Sequence, residues 1–490
     1  MTGARIDLSL ISHTNVGKTT LARTLLRSDI GEVGDRAHVT DLAASDVLIR
    51  SPQGDSLVLW DTPGFGDSAR LLRRLQQNDG SFGWFLAQVW DRFADRPFWC
   101  SQQAMRTLRE ASDVVLYVVN ASEGPASAAY VAMEMQILGW LGKPIVVLLN
   151  QLGLPRADGY AQAELQGWEA HTAQFPCVRA VLAFDAFARC WVQEGTLLSE
   201  VERLLPEDKR PAFERLRAAW KHRNLSVFEH SMQVLARQVA CAAVDVEPIA
   251  DLERQGKARA WLETITGAGE RDSAELTRAQ SALAARLDQE VRTATQELVR
   301  LHSLSGKATE EVLQRMGREF SVQRPADADK ASVLGGLLSG ALGGLAADLG
   351  AGGLTFGAGA VIGGVLGAFG ARGLAKAYNL ARGSELGTVR WSPEFLSGRL
   401  AAALVRYLAV AHFGRGRGEF VAGAAPIHWL PAVEDALNKR RGELESAWTA
   451  ARAGTEQEPG TIASALLPVA SAAAREVLVR LYPDSSAVFI

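Results

Sequence analysis

Cysteine is scarce in this chain. Its 490 residues contain four, Cys100, Cys177, Cys190 and Cys241, with no C-x-x-C spacing. This excludes a disulfide framework and a thiolate zinc site, and the four read as buried or incidental thiols. The eight histidines form no H-E-x-x-H or paired-ligand pattern, so they offer no metal site either. Charge of one sign is also lacking. The formal net charge is −3, and no Lys/Arg run of the kind that tracks phosphates is present, so no nucleic-acid partner is expected. The opening residues Met1-Thr2-Gly3-Ala4-Arg5-Ile6-Asp7 lack the apolar core of a signal peptide, and the expectation is a cytoplasmic protein. Apolar residues at 48% and charged residues at 22% are ordinary for a globular chain. The length is too great for one core and implies roughly two to four domains.

What is present begins at the N-terminus. The apolar run Ile6–Ile11 leads into Ser12-His13-Thr14-Asn15-Val16-Gly17-Lys18-Thr19 and then into Leu21-Ala22-Arg23-Thr24-Leu25-Leu26. Strand, tight loop and helix in that order form an anion site: backbone N–H groups converge at the positive end of the helix, Lys18 reaches the β/γ-phosphates, and the Thr19 hydroxyl can ligate Mg²⁺. The pattern G-x-x-x-x-G-K-[ST] is met except at its first position, where Ser12 stands for Gly. Val16, Gly17 and Thr20 complete the candidate phosphate-binding set. A second apolar strand, Leu57-Val58-Leu59-Trp60, ends in Asp61-Thr62-Pro63-Gly64. There the Asp61 carboxylate can hold Mg²⁺ through water, and the Gly64 N–H can meet a γ-phosphate. Thr40 lies between the two motifs in a polar loop, as a candidate catalytic and metal-ligating hydroxyl.

Asn15-Val16-Gly17-Lys18-Thr19, Thr40 and Asp61-Thr62-Pro63-Gly64 resemble the Era and TrmE-like branch of P-loop GTPases. With Gly31-Glu32-Val33, the loop from His13 to Thr19 is similar to a bacterial subgroup with a long C-terminal domain of unknown function. The resemblance implies GTP/GDP and Mg²⁺ as ligands and Lys18, Thr40 and Asn15 as catalytic residues. It also implies K⁺ beside the phosphates, ligated in part by Asn15, and pairing of two nucleotide domains to order the loop Gly31–Asp41. The attacking water lacks the usual glutamine, because Phe65 follows Gly64, so intrinsic hydrolysis is expected to be slow. The guanine motif Asn-Lys-x-Asp reads Asn150-Gln151-Leu152-Gly153 here. Asn150 is retained, but the base-reading carboxylate is replaced by Gly153, with Asp158 or Asp185 as substitutes. A nucleoside triphosphate is therefore better founded than GTP.

Strand-like runs at Ile6–Ile11, Val47–Ile49, Leu57–Trp60, Val114–Val119, Ile145–Leu149 and Val178–Ala183 alternate with helical patterns, which predicts an α/β domain with a mostly parallel sheet over residues 1–204. Phe82, Phe85, Leu86, Val89, Trp90 and Phe93 recur at helical spacing up to Pro97. They suit either a helix packed on the sheet or one that carries the nucleotide state to a partner. Residues 205–330 show long helical stripes, one through Phe213, Leu216, Trp220, Val227, Leu235 and Val239, another through Leu276, Leu283, Leu287, Val291, Ala294, Leu298 and Leu301. Residues 331–380 hold a glycine-rich apolar hairpin. Ser332–Ala347 and Leu349–Ala371 carry no charge, and Gly336, Gly340 and Gly344, then Gly359, Gly363 and Gly367, each fall four apart. Each arm is short for a bilayer crossing, which leaves two readings: a hairpin on or in one leaflet at the inner face of the cell membrane, or a tightly packed soluble pair. Residues 381–490 form an Ala-rich helical tail. Two function classes follow: a GTPase whose nucleotide state controls the helical region, or a weakly hydrolysing nucleotide-binding scaffold on a membrane or in a complex.

Overall fold

The computed structural model describes residues 3–27, 44–77, 96–152, 160–186, 189–249, 269–304, 378–381, 387–412, 428–453 and 457–489. They fall into two compact units, the first within Met1–Ser226, Ala411–Phe420 and Tyr482–Ile490, the second within Val227–Val410 and Val421–Leu481. Thr40, the loop Gly31–Asp41, the aromatic pattern Phe82–Phe93, Gly153, Asp158 and the glycine-rich hairpin lie outside the described residues.

The first unit is built on six strands: β1 (Arg5–Ser12), β2 (Ala44–Arg50), β3 (Ser56–Asp61), β4 (Val114–Asn120), β5 (Ile145–Asn150) and β6 (Val178–Ala183). Their order is β2-β3-β1-β4-β5-β6. All pairings are parallel except that of β2 with β3. Both faces of the inner strands are covered, which is why β4 and β5 are nearly continuous apolar runs, while β1 buries Asp7 and Ser9 between its apolar residues. Edge strand β2 is more open, and Val47 stays 40% exposed. Helices α1 (Lys18–Leu26), α2 (Ser68–Gln76), α3 (Arg96–Glu110), α4 (Ala129–Gly139), α5 (Tyr160–Thr172) and α6 (Trp191–Leu204) connect or follow the strands. Pro97 sits in the first turn of α3, where its missing N–H costs no helical hydrogen bond. The chain leaves β1 toward β2 and β3 on one side, and after β3 it crosses to β4 on the other side of β1. That reversal opens a crevice at the carboxyl end of β1, the position where doubly wound sheets bind ligands.

The long helix α7 (Arg210–Val244) contributes its first part, up to Ser226, to the first unit and the rest to the second. In the first unit its Arg215 guanidinium grips Asp55 with Nε at 2.7 Å and Nη2 at 3.0 Å. The Asp55 carboxylate also accepts from the Ser51 hydroxyl and the Ala4 N–H. These bonds, Arg215 foremost, hold its pKa well below the usual carboxylate range.

The second unit is mainly helical: α8 (Gly269–Leu301), α9 (Pro393–His412), α10 (Trp429–Asn438), α11 (Arg441–Ala450) and α12 (Pro459–Leu481). Leu283, Leu287, Val291, Ala294 and Leu298 of α8 are buried, as the expected stripe requires. The helical pattern did not announce one further element, a three-stranded antiparallel sheet of β7 (Val246–Ile249), β8 (Tyr378–Ala381) and β9 (Gly387–Trp391) with β9 central. Among the described residues one helix, α12, is long and apolar enough to cross a membrane. Its Ile462, Leu466, Val469, Ala470, Ala473, Val477 and Leu478 are buried against protein, the pattern of a core helix.

Candidate functional site

The site is assembled at the carboxyl end of β1. Ser12 is the last residue of that strand and its hydroxyl donates to the His13 carbonyl at 2.6 Å. It stands in extended backbone, so the glycine that the motif usually places there is not needed. Two loop residues do adopt the left-handed region, Asn15 at φ 66° and Gly17 at φ 90°. Asn tolerates this conformation better than most residues. At Gly17 a Cβ would also lie 2.8 Å from the Asn150 amide nitrogen, so both backbone and space demand glycine. Gly17 then caps α1, whose first residues are Lys18, Thr19 and Thr20.

Asp61 closes β3 opposite Leu10 of β1, so its carboxylate reaches the same crevice. The Lys18 ammonium donates to Asp61 Oδ1 at 2.6 Å, and the Thr19 hydroxyl donates to Oδ2 at 2.6 Å. Lys18 is only 7% exposed, because the carboxylate draws its ammonium down into the crevice mouth. The hard oxygen donors Thr19 and Asp61, side by side beneath a helix N-terminus, suit Mg²⁺ on a phosphate chain.

The segment after Asp61 is laid along the phosphate loop by backbone pairing. Thr62 donates through its N–H and its hydroxyl to the Leu10 carbonyl, and the Phe65 N–H donates to Ser12 O at 2.9 Å. A Cβ on Gly64 would sit 3.2 Å from Ser12 O and 3.5 Å from both His13 O and Thr14 Cα. This close approach is the physical reason for glycine there. Phe65, which stands where other enzymes place a water-orienting glutamine, is fully buried and faces the core.

On the far side, Asn150 is fully buried at the end of β5. Its amide donates to Val16 O at 2.8 Å, and its carbonyl accepts from the Ala186 N–H at 2.8 Å. Asn150 thus joins the phosphate loop to the loop after β6, and Gln151 adds a longer bond to Val16 O at 3.4 Å. Asp185 is the residue before Ala186 and is brought to this corner. The structure therefore gathers Asn15, Val16, Gly17, Lys18, Thr19, Thr20, Asp61, Gly64, Asn150 and Asp185 around one crevice.

Sequence reasoning missed a second layer. Glu134 of α4 is wholly buried and accepts from His13 Nδ1 at 2.7 Å, from the Tyr117 hydroxyl at 2.6 Å, and from the Ser68 hydroxyl. The His13 imidazole stacks on Tyr130 at 4.4 Å between centroids. Burial alone would lower the His13 pKa, but the hydrogen bond to Glu134 and the charges of Glu134 and Glu123 outweigh it and raise the pKa. Burial first, and then Glu134, push the Tyr117 hydroxyl well above its ordinary value. The signal in the sequence was the lone carboxylate in the helix Ala129–Gly139, whose other inward residues are Val131, Met135, Ile137 and Leu138.

Comparison with known proteins bears on both halves of the chain. Residues 7–151 match the family described as 50S ribosome-binding GTPase. Residues 174–466 match the family described as domain of unknown function DUF3482. Similar solved structures include a variant of Aquifex aeolicus Era bound to GDP and AlF4⁻, and Era in complex with MgGDPNP and nucleotides of 16S ribosomal RNA. Each is 19% identical with a TM-score of 0.31, and the match covers 42% of this chain and 58% of the Era chain. The chain therefore spans little more than half the length of those Era chains. None of the curated proteins matches it. With the matched segment of residues 174–466 exceeding half of its length, and a P-loop GTPase domain ahead of it, the chain belongs to the DUF3482 family.

Proposed function

We propose that the protein binds GTP and GDP with Mg²⁺ in the crevice at the end of β1, hydrolyses GTP slowly, and uses its nucleotide state to control the helical C-terminal region. The observation that carries this is the meeting of Lys18 and Thr19 on the Asp61 carboxylate at the N-terminus of α1. In this reading triphosphate binding moves the Lys18 ammonium from Asp61 to the phosphate oxygens, and Thr19, Asp61 and Thr40 hold Mg²⁺, which would neutralise charge on the phosphates. Gly64 offers its N–H to the γ-phosphate. Asn150 braces the base-side loop, and the carboxylate lost at Gly153 makes the preference for guanine over adenine modest, with Asp185 as the candidate substitute that would restore it.

Asn15 helps to ligate K⁺, and pairing of two nucleotide domains orders the loop Gly31–Asp41. The test is single-turnover hydrolysis in K⁺ and in Na⁺ over a range of protein concentrations. Faster turnover in K⁺ that rises with concentration is expected, and a rate indifferent to both refutes this mechanism. The protein is cytoplasmic, and residues 332–375 engage the inner face of the cell membrane. The second reading, a weakly hydrolysing scaffold, draws on the burial of Phe65, which leaves that position with no group to orient water.

A further inference from the structure

Glu134 sits where a carboxylate is costly. It is wholly buried on α4 among apolar side chains, and a charge in such a place is tolerated only when hydrogen bonds replace its lost water. Three donors do so, and they come from three elements. His13 belongs to the phosphate loop, Ser68 is the first residue of α2, and Tyr117 lies in the inner strand β4. The stack of Tyr130 on His13 holds the imidazole from a second side. Between the phosphate loop and α2 runs the segment from Thr62 to Asp67. Its early part is paired to the loop through Phe65 N–H and Ser12 O, with a longer bond from the Thr14 hydroxyl to Phe65 O. Toward its far end the Gly66 N–H meets the Ser101 hydroxyl only at 3.5 Å, Asp67 caps α2 through the Arg70 N–H, and the tie to the sheet runs through Ser68 and Glu134.

We propose that Glu134 is a positioning residue for the segment that follows Asp61: its carboxylate ties the start of α2 to the phosphate loop and fixes both to the sheet through Tyr117. The inference rests on reading this crevice as a GTPase site, because the residue being positioned is Gly64. Once Ser68 or Glu134 is removed, Gly64 keeps the pairings of Thr62 and Phe65 on either side, but the chain beyond Phe65 loses its tie to the sheet, and the direction of the Gly64 N–H toward the phosphate is less tightly set. Neither Glu134 nor Ser68 needs to touch nucleotide for this. Gln at position 134 can accept from His13 and Ser68 through its oxygen while its amide donates to the Tyr117 oxygen, so geometry survives without the charge.

The experiment uses the full chain, and its first arm needs no nucleotide. Amide hydrogen exchange is compared for wild type, Glu134→Ala, Glu134→Gln and Ser68→Ala. In Glu134→Ala and Ser68→Ala, exchange over residues 65–72 is expected to quicken about tenfold while amides of β1, β4 and β5 change by less than about threefold. Glu134→Gln should stay within about threefold of wild type throughout. The second arm measures single-turnover GTP hydrolysis and GDP affinity. The expected split is a fall of about tenfold in rate with affinity changed by less than about threefold, which a merely structural defect would not produce. Ser68→Ala, a small truncation, serves if Glu134→Ala does not fold. Unchanged exchange at residues 65–72, or a rise shared equally by the whole unit, overturns the proposal. A wild-type protein that binds no guanine nucleotide would overturn the GTPase reading instead, and the exchange arm would still judge the latch.

Discussion

Replacing Lys18 by Met tests the site and its nucleotide-free state together. The side chains of Lys18 and Asp61 are 7% and 6% exposed and meet at 2.6 Å. Removing one partner of such a pair costs about 3–5 kcal/mol, because the other charge stays buried and unpaired. Asp61 keeps the Thr19 hydroxyl in Lys18→Met, so the lower end, about 3 kcal/mol, is expected. In a unit of this size that lowers the unfolding midpoint by on the order of 10 °C. Adding Asp61→Asn should return most of the loss, because no buried charge then remains. Nucleotide affinity responds differently. The ammonium supplies charge-assisted hydrogen bonds to phosphate oxygens worth about 1.5–3 kcal/mol each, so two of them put the loss at roughly a thousandfold. The double variant should not regain it. Circular dichroism follows unfolding, and titration with a fluorescent GDP analogue gives the affinity. Unchanged GDP affinity in a folded Lys18→Met protein would refute the assignment of the loop. An unchanged midpoint would refute the buried ion pair.

Asn150→Ala strands the Val16 carbonyl and the Ala186 N–H in the interior, and should destabilise the first unit by roughly 2–4 kcal/mol while speeding GDP release in stopped flow. A release rate equal to wild type would show that Asn150 does not brace the nucleotide corner. Asp55 has a folded-state pKa depressed by Arg215, so its contribution is complete above the ordinary carboxylate value of about 4 and is lost as pH falls below it. The midpoint of wild type should therefore drop more steeply below about pH 4 than that of Asp55→Asn, and parallel curves would contradict the linkage. Deleting Leu334–Leu374 should abolish any sedimentation with lipid vesicles, whereas an intact protein that stays soluble with and without nucleotide favours a soluble core for that segment.

The inner strands β4 and β5 were legible because Val114–Val119 and Ile145–Leu149 are unbroken apolar runs, as a parallel sheet covered on both faces requires, and β1, β2, β3 and β6 followed from shorter or interrupted apolar stretches alternating with helical patterns. The phosphate loop was legible for a related reason. Lys18, Thr19 and Gly17 act within one short stretch, so spacing alone places them together, and Asp61 follows from the end of its strand. Two things were decided only by the tertiary structure. The small sheet of β7, β8 and β9 joins Val246–Ile249 to strands more than a hundred residues away, and segments of four or five residues carry no periodicity strong enough to announce themselves. Glu134 likewise looks like one stray charge in an apolar helix. Its meaning depends on His13, Tyr117 and Ser68, which lie 121, 17 and 66 residues away along the chain and converge on it only when the sheet is closed and buried. Local spacing determines which backbone can cradle a phosphate. Burial decides which charges must be paired, and with whom, because only the folded interior removes the water that would otherwise satisfy them.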